Sequence, residues 1–198
     1  WHHLDATLPD PGVTAAHLLI VVMYLVLLAL FTPRGPVAFL RETGTVWATT
    51  VATTSSLASL PLAMEGADKL GVPRSVHSFT LPLGIQMNKD GTAVMLAAVV
   101  VLTAQAAGVP LSTPDLLTIV LMGGLLSAGS GGIPGGGFVV ALIMVEAFKL
   151  PLELAVVVGG IYRLIDMGNT TVNVMGNLVG TVLIAASEEP RAARNETT

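Results

Sequence analysis

The sequence lacks cysteine and is poor in charged side chains, and each shortage excludes a class of protein. Without cysteine the chain forms neither a disulfide framework nor a thiolate metal site. Charged residues make up 11% of the chain, whereas soluble domains carry about 25%. Hydrophobic residues make up 53%, so the composition is that of a membrane protein. The net charge of −4 is small for 198 residues, which gives no basic surface for nucleic acid.

The sequence contains neither a histidine zinc motif nor a signal sequence before the first apolar run. None of the four histidines forms an H-E-x-x-H zinc motif. The first residue is Trp1, and neither a charged n-region nor a cleavage-type sequence precedes the first apolar run. We therefore expect the chain to be the C-terminal piece of a longer protein.

Hydrophobic runs divide the chain into five membrane segments. Residues 14–31 are nearly all apolar and approach the ~20 residues that a spanning helix needs. The other four segments each contain a break of small or polar residues. Two are predicted as re-entrant hairpins, 36–70 around SSLASLP and 114–148 around SAGSGGIPGGG. Two are predicted as interrupted helices, 75–107 at NKDG and 152–186 at DMGNTTVN. Polar stretches at 1–13 and 187–198 flank the membrane segments.

Breaks at membrane depth are tolerated only where protein buries the open backbone or where it lines a wet cavity. Four such breaks in one short chain therefore predict that they converge on a common site. Helices that end near the middle of the membrane are typical of secondary transporters. The expected fold is an all-α membrane protein with two re-entrant hairpins and two interrupted helices.

The distribution of basic residues agrees with this topology. If each hairpin returns to its own side, Lys149 alone lies on one side of the membrane. The excess on the other side identifies it as the cytoplasmic side, which also holds the C-terminal tail. The residues on that side are Arg34, Arg41, Lys69, Arg74, Arg191 and Arg194.

Polar side chains share one face of the last segment. Asp166, Asn169, Thr170, Asn173 and Asn177 are spaced i, i+3, i+4, i+7 and i+11, which places them together on a helix. A carboxylate suits an ammonium and amides suit a carboxylate, so the stripe predicts a site for a zwitterion. The alternative is a polar seam between two membrane helices.

Ionisable groups inside a bilayer are costly and are therefore candidates for function. Asp90 and Asp166 each have a base nearby, Lys89 and Arg163 respectively. The alternative is mutual neutralisation, in which these pairs only fix the packing of helices. The glycine-rich SAGSGGIPGGG lacks the GK[ST] ending of a phosphate loop. It is predicted to be a mobile hairpin end that closes over the site.

Three motifs, taken in their order, resemble one known family. They are SFTLPLG-x3-N-x-DGTA, SAGSGGIPGGG and DMG-x-T-x-VNV-x-G. The chain resembles the dicarboxylate/amino acid:cation symporter family, which has the glutamate-transporter fold, from about residue 14 to 186. The resemblance implies most of a transport domain that moves across the membrane like an elevator. The earlier helices of the family, including its trimerisation scaffold, have no counterpart in the sequence.

The resemblance also implies a role for each matching position. Asp166 matches the aspartate that binds the substrate ammonium, and Asn173 matches the asparagine that holds the α-carboxylate. The implied substrate-binding residues are Asp166, Asn169, Thr170, Asn173, Ser56, Thr92 and Gly132. The implied cation-site residues are Gly84, Asn88, Lys89, Asp90, Asn173, Asn177 and Ser130, with Asn88 and Asp90 as ligands of sodium.

Two departures from the family pattern concern the substrate. Asn169 stands where members with acidic substrates have arginine, and Thr54 stands where the first hairpin sometimes supplies one. No guanidinium is therefore placed there for a bidentate pair with a side-chain carboxylate. Because Asp166 is retained, we expect the substrate to be an amino acid. Because the arginine is missing, we expect that amino acid to be neutral. Arg163, about 10 Å along the helix axis from Thr170, keeps an acidic substrate as the alternative.

Two further departures concern the coupling ion. Lys89 replaces a methionine of the family motif and Asn177 replaces an aspartate, so each change adds one positive charge near the cation sites. A site for a hard cation needs uncompensated oxygens. We hypothesise that the Lys89 ammonium takes the room of the ion beside Asp90, which makes transport sodium-independent or proton-coupled. The alternative is that Lys89 reaches water and leaves a sodium site intact.

Rival functions come from different classes of protein. An intramembrane aspartyl protease needs two acids that share a proton, but neither Asp90 nor Asp166 lies in a G-x-G-D setting. A channel with re-entrant half-helices is a second rival, and an inactive fragment without its scaffold is a third. The favoured interpretation is an amino acid carrier rather than an enzyme, without a cofactor other than a coupling ion. We expect it in a bacterial or archaeal cell membrane, in contact with lipid and homotrimeric at full length.

Overall fold

The computed structural model of the chain describes residues 11–159 and 162–195, which form α-helices and one 3₁₀ turn without a β-strand. The predicted all-α class is confirmed. Within the described residues, four helical segments are long and apolar enough to cross a membrane by length and composition. They are Pro11–Phe31, Arg74–Ala106, Thr113–Ser130 and Arg163–Glu188.

The first third of the structure consists of a long apolar helix and a helical hairpin. Helix α1 spans Pro11–Phe31, so it includes the end of the stretch predicted as a polar leader. The hairpin consists of α2 (Pro36–Glu42), α3 (Gly44–Thr53) and α4 (Leu60–Lys69). Residues 54–59 connect α3 to α4. The break therefore consists of one threonine and the first five residues of the serine-rich stretch SSLASLP.

The next two helices are nearly continuous. Helix α5 spans Arg74–Met87 and α6 spans Asp90–Ala106, with only Asn88 and Lys89 between them. The interruption therefore falls at the predicted N-K-D-G sequence. Because the first amides of α6 have no partner within their own helix, another element has to supply acceptors for them.

The second hairpin turns on glycine. Helix α7 (Thr113–Ser127) starts at a capping box of Ser112 and Asp115, continues into the 3₁₀ turn Ala128–Ser130, and is followed by α8 (Gly136–Ala147). Between them Gly131 has φ +73° and Gly135 has φ +82°. Residues with a side chain rarely adopt this left-handed backbone, so the shape of the hairpin end depends on glycine.

The last segment corrects one prediction. Helix α9 spans Leu152–Gly159, and α10 runs without interruption from Tyr162 to Asn195. The predicted break at DMGNTTVN is therefore wrong, and the helix continues into the stretch predicted as a polar tail from residue 187. The glycines that suggested unwinding serve close packing instead, because a side chain at Gly168 would press on His17 and one at Gly176 would collide with Tyr24.

Helices α6 and α10 form the centre of the fold. Helix α10 packs against α1, α3, α5 and α6, and α6 packs in turn against α7, α8 and α9. Two apolar cores result, one containing Leu28, Phe39 and Leu178, the other containing Leu96 and Met144. The contact between α6 and α10 therefore joins the two halves of the molecule.

Helix α6 lies very near α10 at Gly91. A Cβ atom at this position would lie 2.6 Å from the carbonyl oxygen of Asn169 and 2.8 Å from its Cα. Backbone atoms inside a packed helix cannot move aside as a flexible side chain does, so Gly91 is required for this approach.

Substitution Gly91→Ala is expected to destabilise the fold by roughly 1–3 kcal/mol, because it forces α6 away from α10. The measurement is the midpoint of thermal unfolding in detergent micelles. The control is Gly124→Ala in α7, where an added Cβ meets no atom within 4 Å. Since alanine favours helix over glycine, the control should unfold at the same temperature or higher. An unchanged midpoint for Gly91→Ala would contradict this account of the contact.

Candidate functional site

The ends of the two hairpins touch each other at Gly132. The Ser55 hydroxyl donates a hydrogen bond of 2.8 Å to the carbonyl oxygen of Gly132. The backbone N–H of Leu57 donates a second bond of 3.2 Å to the same oxygen. The breaks that the sequence places far apart in the chain therefore meet directly.

A small pocket lies where the hairpin ends meet α6 and α10. Its cavity volume is about 10 Å³, which is close to the room of one water molecule. A larger ligand therefore enters only when a hairpin end moves away. The lining residues are Thr54, Ser56, Lys89, Thr92, Ser130, Gly131, Gly132, Ile133, Gly137, Asp166, Thr170 and Asn173.

Most residues predicted to bind substrate line this pocket, and Asn169 is the exception. Those that do are Asp166, Thr170, Asn173, Ser56, Thr92 and Gly132. From the predicted cation sites, Lys89, Asn173 and Ser130 line the pocket, whereas Gly84, Asn88, Asp90 and Asn177 lie outside its lining. Sequence reasoning missed Gly131, Ile133 and Gly137, although all three belong to the glycine-rich motif.

The face of α10 explains why Asn169 is excluded. Asp166, Thr170 and Asn173 are spaced i, i+4 and i+7 and line the pocket, whereas Asn169 is turned about 60° away from Asp166 around the helix axis. Asn169 is fully buried beneath Gly91. Its side chain lies beside His17 of α1 instead of at the pocket. Asn169 is thus outside the pocket lining, and its contact with substrate stays a prediction.

The side chain of Asn173 holds the start of α6. Its Oδ1 accepts hydrogen bonds from the N–H groups of Gly91, at 2.9 Å, and of Thr92, at 3.3 Å. Its Nδ2 donates to the Thr92 hydroxyl at 2.9 Å. These bonds satisfy amides that have no partner within α6. The available signal in the sequence was the break itself, since a helix that starts inside a membrane needs such an acceptor.

Lys89 lies inside the pocket. Its side chain is almost completely buried, and its Nζ donates a hydrogen bond of 3.3 Å to the carbonyl oxygen of Gly131. It shares the lining of this small pocket with Asp166. Lys89 bonds to Gly131 whereas Asp90 bonds to Tyr24, so the two side chains have different partners. That Lys89 takes the room of an ion beside Asp90 stays a hypothesis.

Asp90 is directed toward α1, where the Tyr24 hydroxyl donates a hydrogen bond to its Oδ2. Sequence reasoning missed Tyr24, although a phenol in an otherwise apolar helix is a signal for a polar partner. Nearby, Asn88 Nδ2 donates to the carbonyl oxygen of Asn173 at 2.8 Å. Asn177 Nδ2 donates to the carbonyl oxygen of Leu81 at 2.9 Å. We call Tyr24, Asn88, Asp90 and Asn177 the Asp90 cluster.

Hydrogen bonds already involve several oxygen atoms in and around the Asp90 cluster. A hard cation needs several oxygens that are free of other donors, but here protein O–H and N–H groups already bond to one Asp90 oxygen and to two backbone carbonyls. Among the described residues, no three His, Cys, Asp or Glu side chains come together as a metal site.

Arg163 does not reach the pocket. Its side chain is exposed and is absent from the pocket lining. The alternative in which Arg163 replaces the missing arginine is therefore not supported by the geometry.

The variant Asn173→Ala should expose the first amides of α6. The Gly91 and Thr92 amides should exchange hydrogen about five- to tenfold faster, since each loses a bond that contributes about 1 kcal/mol. Hydrogen exchange in micelles, read at these two residues, measures the effect. Asn173→Asp is the control because it retains an acceptor oxygen, and it should keep the protection. Unaltered protection in Asn173→Ala would contradict the capping role.

Comparison with known proteins adds a family and several relatives. The model of the sodium:dicarboxylate symporter family matches residues 12–187. The chain is 34% identical over 154 residues to an excitatory amino acid transporter of Caenorhabditis elegans, covering 77% of this chain and 31% of the relative. It is 36% identical over 156 residues to the neutral amino acid transporter B(0) of Mus musculus, covering 78% and 28%.

The chain has a similar sequence identity to a bacterial relative whose name gives a different substrate. The C4-dicarboxylate transport protein of Bacillus subtilis is 36% identical over 137 residues, covering 69% of this chain and 32% of the relative. The matched part of the chain thus spans about a third of the length of these relatives.

Proposed function

The chain belongs to the sodium:dicarboxylate symporter family, and on that premise we propose that it forms the substrate-carrying part of a secondary transporter for amino acids. The apolar helices and the family make it an integral membrane protein. The proposed movement is of the elevator type, in which the pocket crosses the membrane together with the helices around it. At full length the protein forms a homotrimer through a scaffold, lies among membrane lipids, and has its C-terminus in the cytoplasm of a bacterial or archaeal cell.

One observation carries this proposal: both hairpin ends and both central helices enclose a single pocket that contains Asp166. Since the Gly132 carbonyl accepts only two hydrogen bonds from the first hairpin, and each such bond contributes about 1 kcal/mol, the hairpin ends can part at modest cost. A carrier needs this combination of a rigid wall and a closure that opens easily.

The charges of the pocket support a neutral amino acid as the substrate. Among the described lining residues, Asp166 is the one acid and Lys89 the one base. Asp166 suits the ammonium of an amino acid. Asn169 lies outside the pocket and Arg163 is exposed, so no guanidinium supports an additional carboxylate on the substrate side chain.

The second candidate is a symporter of acidic amino acids or dicarboxylates. It is favoured by the Lys89 ammonium, which is able to bind a second carboxylate as a point charge. The similarity to a C4-dicarboxylate transport protein supports the same candidate. The two candidates differ in which ligands bind, so a ligand panel separates them.

Altered coupling to cations is the remaining part of the proposal. The bonds within the Asp90 cluster support sodium-independent or weakly sodium-dependent binding, because a sodium ion would have to displace donors that the protein already provides. Asn88 and Asp90 coordinate sodium only if these bonds rearrange.

Binding of the common amino acids to the purified chain, measured by calorimetry with sodium or choline chloride at two pH values, tests this proposal. We expect neutral amino acids to bind with similar affinity in both salts. Asp166→Asn should weaken binding about tenfold or more, since a bond between charged groups contributes about 1.5–3 kcal/mol.

The matched control is Glu153→Gln, which makes the same acid-to-amide change at an exposed site in α9 and should bind like the wild type. Preferential binding of aspartate, glutamate or succinate would favour the second candidate. A strict need for sodium would contradict the altered coupling. Wild-type affinity in Asp166→Asn would contradict the site itself.

A further inference from the structure

We infer that Lys89 is a specificity-determining residue, whose ammonium neutralises Asp166 in the closed pocket and binds the carboxylate of the substrate when one enters. The inference rests on the proposed function and identifies the chemical class of the ligand: a small molecule with an ammonium and a carboxylate on the same carbon.

The first step of the argument is the position of Lys89. It lies at the break between α5 and α6, with φ −130° and ψ 39°, outside both helices. Its side chain is 3% exposed, and its Nζ bonds to Gly131 at the end of the second hairpin. A charge with so little access to water needs compensation from the protein or from a ligand.

The second step is the partner charge. Asp166 lines the same small pocket as Lys89, so the two opposite charges face one space. With the pocket closed, the acid and the base compensate each other, and the lysine also satisfies a carbonyl of the hairpin end. The closed pocket is therefore electrically balanced by the protein alone.

The third step considers what a ligand would do to this balance. An ammonium that binds Asp166 takes away the compensating charge of Lys89, which then lies buried and unpaired. An amine without a carboxylate therefore binds at a large cost. A zwitterion avoids this cost because its own carboxylate pairs with Lys89 while its ammonium pairs with Asp166.

The fourth step is the occupation of Asn173, the residue that the resemblance assigned to the α-carboxylate. Its Oδ1 already accepts two bonds and its Nδ2 donates to Thr92. One Nδ2 hydrogen therefore remains for a ligand, so Asn173 offers a carboxylate a single neutral hydrogen bond. Lys89 offers a positive charge as well, and its bond to Gly131 is broken whenever the second hairpin opens.

The test compares two amino acids with their carboxamides, which keep the ammonium but lose the negative charge. The probes are L-alanine and L-serine against L-alaninamide and L-serinamide, titrated into the purified chain. We expect the wild type to prefer the acids by about tenfold or more, as a bond between charged groups implies. In Lys89→Met this preference should fall to about twofold or less through weaker binding of the acid and tighter binding of the amide.

Controls keep the test decisive. Lys69→Met changes a lysine that is exposed on α4 and paired with Glu65, and it should retain the preference. Lys89→Gln, a second neutral variant, replaces Lys89→Met if the latter does not fold.

The outcomes separate the inference from the proposed function. Loss of binding in Asp166→Asn together with an undiminished preference in Lys89→Met would leave the proposed function standing and overturn the inference. No binding of any amino acid to the wild type, or full binding to Asp166→Asn, would overturn both.

Discussion

The contact between the start of α6 and the middle of α10 is the constraint on which the rest of the site depends. Gly91 lies directly against the backbone of Asn169, and the Asn173 side chain bonds to the first amides of α6. Together these contacts fix where Thr92 and Lys89 stand relative to Asp166. The wall of the pocket is therefore built from backbone packing and capping, which tolerate little displacement.

The opposite side of the pocket has a different physical character. The two hairpin ends are joined by hydrogen bonds to Gly132, and the second end turns on glycines with positive φ. Irregular backbone of this kind changes conformation more easily than a packed helix. A rigid wall opposite a weakly held closure is the arrangement through which a ligand can enter without disturbing the core.

The ionic groups at the site each lie near a group of opposite charge or a hydrogen-bond donor. Lys89 shares the pocket with Asp166, and Asp90 accepts a bond from Tyr24. Lys89 and Asp90 are adjacent in the chain, at the short break between α5 and α6. In a medium of low dielectric constant an uncompensated charge is costly, so a change of occupancy in the pocket has to preserve this balance. This requirement connects the fold to the choice of ligand.

The class of the fold and the positions of three of the four breaks could be predicted from the sequence, because hydrophobic runs, glycine clusters and the i, i+4, i+7 spacing of Asp166, Thr170 and Asn173 are local properties of the chain. The convergence of the hairpin ends could be predicted because open backbone inside a membrane has to be buried or line a cavity. The folded structure was needed to show that α10 continues through Gly168 and Gly176, that Asn169 is buried away from the pocket, and that Lys89 and Asp90 have different partners. A glycine that permits unwinding is the same residue that permits close approach, and a side chain at a helix break follows backbone angles that no periodicity specifies. Which neighbours fill those places is fixed by packing between distant parts of the chain.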